Sequence, residues 1–461
     1  MLQQSLIEDL ITAALSTGGD FAEIFVEDKF NTNVMLVGGK VEACTAGVDY
    51  GIGIRILKGL QSVYAYTNEQ ERDKLIAVAI EAAQAVTGEP NSLTLNLTKQ
   101  TLENVHPIGK YPREVSKIEK VNAMREIDEA AKNLSQLISQ VTVGYKDEDQ
   151  KVLIANSDGR FVEDRRVRTR IFTQTVAANE NEMQTGMYAP GAHKGFEFID
   201  GLDLEYYGQE AARIAVTMLG AKECPSGKLP VIIDKEFGGV IFHEACGHGL
   251  EAAFVAKKNS VFADRIGERV APEIVTYIDD GTLPNEWGSA NVDDEGEKTR
   301  KNVLIENGIL TGYLIDKLGA RRMGTTSTGS SRRESYKFAP TSRMTNTFIA
   351  AGTSTHDEII ANTEYGIYAK YMGGGSVDPA TGDYNFAVNE GYMIRNGEIA
   401  EPVRGATLIG NGPKTLQNVD MVGNNVAHGQ GMCGASSGFI PANVGQPMIR
   451  VSEITVGGRG N

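Results

Sequence analysis

The feature that most restricts the fold is a pattern that occurs twice in the first half of the chain. An amphipathic opening, MLQQSLIEDLITAAL, is followed by AEIFVED, NVMLVGGKVEA, GIGIRILKG and LQSVYAYTN, which alternate or run apolar between Gly and Asn punctuation. EQERDKLIAVAIEAAQAV then carries helical periodicity. The same order returns: KIEKVNAMREIDEAAKNL is helix-like, QVTVGYKD, KVLIANSDGRFVED, RVRTRIFTQTVAA and EMQTGMYAPG are strand-like, and EYYGQEAARIAVTML closes the unit as a helix. Val34 to Val41 and Val152 to Phe161 are broken by a Gly turn in matching places. Two rounds of helix, antiparallel strands and helix predict an α+β fold.

The texture changes at AKECPSGKLPVIID, Ala221 to Asp234, where Pro225, Ser226 and Gly227 have the composition of a domain junction. The chain has 461 residues, and at about 150 residues per domain two domains are expected. The first, 1–222, is the repeated helix and antiparallel-strand unit. The second, 223–461, is mainly antiparallel β and carries one notable helix near its start. Asn307-Gly308 in LIENGILTGYLI and Asn396-Gly397 in GYMIRNGEIAEPV are two-residue hairpin turns flanked by strands. GGGS at Gly373 to Ser376 and GIG at Gly51 to Gly53 lack the spacing of a phosphate-binding loop and read as turns or tight strand crossings.

Composition excludes several classes. Hydrophobic residues at 41% and charged residues at 23% are ordinary globular usage. A formal net charge of -15 would repel nucleic acid unless a basic patch focused the field. The best basic run, Arg165, Arg166, Arg168 and Arg170, reads as a solvated strand face. No run approaches the roughly 18 apolar residues that would span a bilayer, and the N-terminal stretch lacks a basic n-region and an unbroken apolar core. A cytoplasmic location is expected. The four cysteines, Cys44, Cys224, Cys246 and Cys433, are too scattered for a disulfide framework, so any special cysteine is a ligand.

The informative helix is GGVIFHEACGHGLEAAF. His243, Glu244 and His248 form HExxxH, one residue longer than the zincin HExxH. On a regular α-helix, positions five apart point about 140° away from each other, against about 40° for positions four apart. A π-type turn of about 4.4 residues brings them back within about 50°. The spacing therefore predicts a π-bulge or a helix break at Ala245 to Gly247, with Gly247 best able to accept the altered backbone. Two of only six histidines fall within six residues, and the carboxylate beside the first takes the slot of a general base.

A catalytic metal normally takes three protein ligands and keeps one open position. Candidates for the third ligand are Glu251, Cys246, His356, His428 and Cys433. Cys246 reads as a small buried residue beside the bulge. Cys433 ranks first, because glycines flank it in HGQGMCGASSGFIP, and His428 second. His106 and His193 read as surface residues. Arg332 and Arg333 in SRRESY could hold a peptide carboxylate or carbonyl, or form structural ion pairs. The expected activity is metal-dependent hydrolysis of peptide bonds by activated water, with Glu244 moving the proton. Two rival readings are a non-catalytic, metal-stapled peptide-binding or chaperone-like module and an oxidoreductase using redox iron.

HEACGHGLE, DDGTLPNEWGS, DDEGEKTRKNVLIENGIL, SRRESYKFAPTSRMTNT, GGGSVDPATGDYNF, GATLIGNG and GMCG followed by VGQP resemble the TldD branch of the TldD/PmbA metallopeptidases, from Val231 to the C-terminus. The first half fits more loosely but in the right order and length. The resemblance implies metal binding by His243, His248 and Cys433, with Glu244 as catalytic base. It implies action on unfolded peptide segments, including precursors of peptide antibiotics. It also implies a homodimer, or a heterodimer with a PmbA/TldE-type subunit that lacks the motif. Zinc suits the His, His, Cys set, with iron as the alternative. A site for unfolded peptides must exclude folded proteins, so the first domain and a second subunit are expected to wall it into a chamber, with an interface above roughly 2,000 Å².

Overall fold

The computed structural model describes residues 1–89, 95–378 and 380–460. Both rounds of the repeat form as their patterns predict. In the first, α1 (Gln4–Ala14) precedes β1 (Phe21–Val37), β2 (Lys40–Lys58) and β3 (Gln61–Thr67), and α2 (Arg72–Ala83) closes the round. After the short β4 (Thr98–Gln100), the second runs α3 (Lys117–Asn133), β5 (Ile138–Asn156), β6 (Arg160–Ala178), β7 (Met183–Tyr188), β8 (Gly191–Ala192), α4 (Glu197–Asp200) and α5 (Leu204–Leu219). Each round is built on a long antiparallel hairpin, β1 with β2 and β5 with β6. The hairpins turn at the two matching Gly positions, where Gly38, Gly39 and Gly159 all take positive φ. They join through β1 and β5, paired from Glu23↔Asn156 to Val37↔Thr142. The result is one sheet of order β3-β2-β1-β5-β6-β4, with β7 and β8 also on β6.

Strands this long cross two cores in succession. At one end Ile24 and Val26 of β1 pack with Ile52 and Ile54 of β2 against Ile7 and Leu10 of α1 and Leu75 and Ala79 of α2. Further along β1, Val34 and Leu36 pack with Val141 and Val143 of β5 against Met124 and Ile127 of α3 and Ala212 of α5. Each such fully buried aliphatic side chain is worth about 1.5–3 kcal/mol. The period-2 alternation of the strands and the period-3.6 stripes of the helices therefore bury the same residues.

Beyond residue 221 two further large sheets form, beside a two-stranded pairing of Ser331–Arg332 with Thr341–Ser342. The larger runs Tyr365–Val377, Gly227–Ile233, Ile449–Gly457, Thr407–Asn411, Asp383–Arg395, Glu398–Arg404, Lys222–Glu223, with Val419–Val422 also on Ile449–Gly457. The smaller runs Ile309–Leu310, Lys301–Glu306, Tyr277–Asp280, Asn346–Ile349, Gly438–Gln446, Ala427–Ala435. One apolar cluster draws on both: Val231, Ile233 and Ile367 from the first, Tyr277, Ile305 and Val444 from the second, with Val240, Phe242 and Leu250 of the helical segment among them. The Asn307-Gly308 and Asn396-Gly397 turns hold both residues at positive φ, as the tight turn matching strand twist requires. At the GIG of β2, a Cβ on Gly51 would lie 2.1 Å from the Tyr336 ring, so this is a tight crossing.

Two expectations fail where the halves meet. The arginine run of β6 is not a solvated face: Arg166 and Arg168 are buried, Arg170 is half-buried, and only Arg165 is exposed. The second half covers that face, and Arg166 binds Asp294 at 2.6 Å while Arg168 donates to the carbonyls of Trp287 and Ser289. His106 and His193 are not surface residues either. They are 1% and 0% exposed and stack with ring centroids 4.3 Å apart. The Asn285 N–H donates to His106 Nδ1 at 3.0 Å, and His193 Nδ1 lies 3.0 Å from the Ser289 carbonyl. Among the described residues no helix is long and apolar enough to cross a membrane.

Candidate metal centre

The segment after the strand Gly227–Ile233 winds irregularly. A 3₁₀ turn at Phe237–Gly239 leads through Val240–Phe242 into a π-helical turn at His243–Gly247, then a second 3₁₀ turn at His248–Leu250. The His248 N–H donates to the His243 carbonyl, the five-residue bond that defines the π turn. The bulge falls where the spacing predicts, but the part played by Gly247 differs from the expectation. Its backbone is ordinary right-handed helix, φ -57° and ψ -49°. What it supplies is space, since a Cβ there would lie 2.3 Å from Met344 Sδ.

The π turn puts both imidazoles on one side, with centroids 5.3 Å apart at 82°. Cys433 reaches them from the strand Ala427–Ala435, at the edge of the smaller sheet. Its Sγ lies 3.3 Å from His243 Nε2 and 3.2 Å from His248 Nε2. All three residues are buried, and their ligand atoms lie within 4.8 Å of one another. A tetrahedral zinc with Zn–N and Zn–S bonds of about 2.0–2.1 and 2.3 Å would set each N···S distance at about 3.6 Å. The cluster is within a few tenths of an ångström of that, and two nitrogens and a thiolate are a donor set that fits a divalent metal.

The surroundings favour this charge arrangement. Burial alone raises the Cys433 thiol, but the adjacent His243 and His248 overcome it and hold the group down to about 3. Burial works against protonated His248, yet Glu251 and Cys433 carry it well above the ordinary histidine value. Glu251 Oε2 lies 3.1 Å from His248 Nδ1, so an Nδ1–H donating there turns Nε2 toward Cys433. Glu244 alone of the motif is part-exposed, its side chain 30% accessible, with Oε2 3.5 Å from His248 Nε2. Cys246 points away into the core, 0% exposed, where burial pushes its thiol far up.

Of the candidates for a third ligand, the fold brings Cys433 to the histidines and leaves the others out. His428 is five residues earlier on the same strand, but its Nδ1 faces Glu286 at 3.7 Å and its ring packs edge-on against Phe348. His356 is exposed at a helix start beside Asp357. Glu251 orients His248, a role that its spacing of three residues could have suggested. Nothing in the sequence pointed to Arg343, which is 0% exposed and donates to the Cys433 carbonyl at 2.5 Å. A cavity of 310 Å³ follows Gly429–Met432 on the strand that carries Cys433, lined also by Tyr188, Glu236, Phe237 and Tyr371 but by none of His243, Glu244, His248 or Cys433.

The class of protein follows from comparison with known chains. Consecutive stretches match the PmbA/TldA metallopeptidase domain 1 (22–85), central domain (110–219) and C-terminal domain (226–458). The chain belongs to the PmbA/TldD family of metallopeptidases, enzymes that depend on a divalent metal. It is 35% identical over 465 residues to the metalloprotease TldD homolog of Buchnera aphidicola, covering 98% of this chain and 95% of that one. It is 36% identical over 452 residues to the TldD homolog of Haemophilus influenzae, covering 95% and 93%. The zinc metalloprotease TldD homolog of Saccharolobus solfataricus is 26% identical over 453 residues, covering 97% and 99%. In fold the chain is similar to TldE of Thermococcus kodakarensis, with a TM-score of 0.77 at 19% identity over 98% of this chain and 99% of that one.

Proposed function

We propose that this metallopeptidase hydrolyses peptide bonds in unfolded peptides or protein segments, with His243, His248 and Cys433 holding the metal and Glu244 acting as base. One observation carries the reading: two buried imidazole nitrogens lie 3.2–3.3 Å from one buried sulfur, with one part-exposed carboxylate beside them. When bound there, a divalent metal supplies Lewis acidity, lowering the pKa of water and polarising a carbonyl. The protein's own residues do the rest. Glu244, open to solvent on one side, accepts the proton of the attacking water and returns it to the leaving amine. Glu251 fixes the tautomer and orientation of His248, and the π turn holds both imidazoles on one side. The Cys433 thiolate favours zinc over magnesium or calcium, and the relative from Saccharolobus solfataricus is named a zinc metalloprotease.

The chain works in the cytoplasm, a setting that suits four unpaired cysteines, one of them exposed. It acts as a homodimer or with a PmbA/TldE-type subunit, and residues 1–222 and the second subunit wall the site into a chamber. Glu244→Gln should keep its metal while cleavage of an unfolded peptide pool, read by mass spectrometry, falls by about a hundredfold or more. Unchanged cleavage would leave the metal as a structural staple and end the peptidase reading of Glu244.

A further inference from the structure

Among the described residues two buried guanidinium groups near the strand Ala427–Ala435, Arg332 and Arg343, have no carboxylate within 4 Å. Arg332 is 8% exposed and donates to the Met344 carbonyl at 2.7 Å, and among the described residues it forms no ion pair within 4 Å. Two neighbours are closely paired. Arg333 binds Glu23 at 2.5 Å, and Arg166 binds Asp294 at 2.6 Å. Arg343, the other unpaired cation, spends three hydrogen bonds on neutral oxygens, Ser437 Oγ, the Gly438 carbonyl and the Cys433 carbonyl, whereas Arg332 has one. Arg168 spends its short hydrogen bonds on two carbonyls and meets Glu148 only at 3.4 Å. Three guanidinium groups, Arg168, Arg343 and Arg166, thus repel the charge of Arg332, and Asp294 opposes them; with burial as the largest cause, the group is pushed down to about 9. That is still above neutrality, so Arg332 stays charged where water is scarce. An uncompensated buried charge is a strong call for an anion.

There is room for one. Arg332 and Arg168 line a cavity of 160 Å³ with Lys146, Met432, Phe439 and Pro441; in all, six cationic side chains share the lining with four carboxylates, Glu148, Asp293, Asp294 and Glu334, which leaves a cationic excess. At about 30 Å³ per water this holds roughly five waters, or the end of a peptide, and is too small for a nucleotide. Met432 precedes Cys433 and also lines the 310 Å³ cavity that follows Gly429–Met432. Met432, the residue before Cys433, thus stands between the two spaces.

We propose that the cavity lined by Arg332 and Arg168 receives a carboxylate of the bound peptide, held by Arg332 through its planar guanidinium. The proposal rests on the peptidase reading above, and it makes the enzyme selective for the C-terminal end of its substrates, or for an acidic side chain near that end. A planar fork that matches a carboxylate in two hydrogen bonds is what such recognition uses.

The test separates binding from cleavage. Metal-loaded Glu244→Gln protein is titrated, by fluorescence anisotropy, into one labelled peptide made as the free acid, as the C-terminal amide, and as the amide ending in Glu. The free acid is expected to bind at least about tenfold more tightly than the plain amide. If the amide ending in Glu matches the free acid, the carboxylate comes from a side chain; if it matches the plain amide, it comes from the chain end. Arg332→Met should erase the preference at unchanged metal content. Displacement of the free-acid peptide from the parent protein by N-acetylglycine, but not by N-acetylglycinamide, gives the same answer if that variant does not fold. Equal affinity for acid and amide, or a preference that survives Arg332→Met, would overturn the proposal. Selective binding by a wild-type protein that cleaves nothing would instead overturn the peptidase reading and leave the carboxylate site standing.

Discussion

Two buried polar regions of this molecule are satisfied in different ways. Along the seam between β1, β2 and β6 and the second half, charges meet opposite charges: Arg333 with Glu23, Arg55 with Glu295, Arg166 with Asp294. At the π turn, three groups that all offer lone pairs face one another instead. Each of these three pairs is closed within the protein. The cluster gathers two imidazoles and a sulfur whose contacts with one another need a shared proton or a cation between them, a donor set that would fit a metal. Burial alone therefore marks neither structure nor function; what the buried groups lack does.

The sharpest way to break this contrast is to remove the cation or a ligand. Chelation, or Cys433→Ala, should abolish peptide cleavage, by about a thousandfold or more, equivalent to over about 4 kcal/mol, and Cys433→Ala should lower metal content in elemental analysis. Full metal occupancy in that variant would assign the third ligand elsewhere. Next in size, Arg333→Met should destabilise the fold by about 3–5 kcal/mol, read by urea denaturation, because it leaves Glu23 buried and unpaired. A loss near zero would mean that the seam is hydrated in solution.

A third effect comes from the stacked histidines at the seam. His106 is pushed down to about 4, mainly by burial and then by Arg168, and His193 is driven well below the ordinary value for the same reasons. Between about pH 6.5 and 4 the unfolded chain thus binds more protons than the folded one. The stability these neutral rings contribute is present above pH 6.5 and is lost as pH falls through the folded value. For His106 this is on the order of 3 kcal/mol. Thermal melts of His106→Gln and wild type should converge toward pH 4, and parallel pH profiles would refute the assignment. Smaller again, Glu251→Gln should weaken metal affinity about 10–100-fold by loosening His248; unchanged affinity in a metal titration would make Glu251 a packing residue. The least change is expected from Cys246→Ala, which should keep full metal and lose about 1 kcal/mol of stability.

Much of this architecture was legible in order of residues alone. The repeated helix and hairpin rounds, the two Gly turns, the Asn-Gly hairpins and the π turn within HEACGH each depend on neighbours a few positions away, and local sterics and periodicity decide them. The histidine pair and Glu244 were legible for the same reason. Other features belong to contacts across long stretches of chain. Cys433 meets His243 from 190 residues away, and the sequence ranked it without excluding His428. Gly247 is needed because Met344 crowds it, not because its backbone is unusual. Arg166, Arg168, His106 and His193 read as surface residues until a second surface covered them, and Arg332 and Arg333, adjacent and alike in sequence, part company in space. Whether a polar side chain meets water, an opposite charge or an empty cavity depends on which surfaces the finished fold presses together, and no local pattern carries that information.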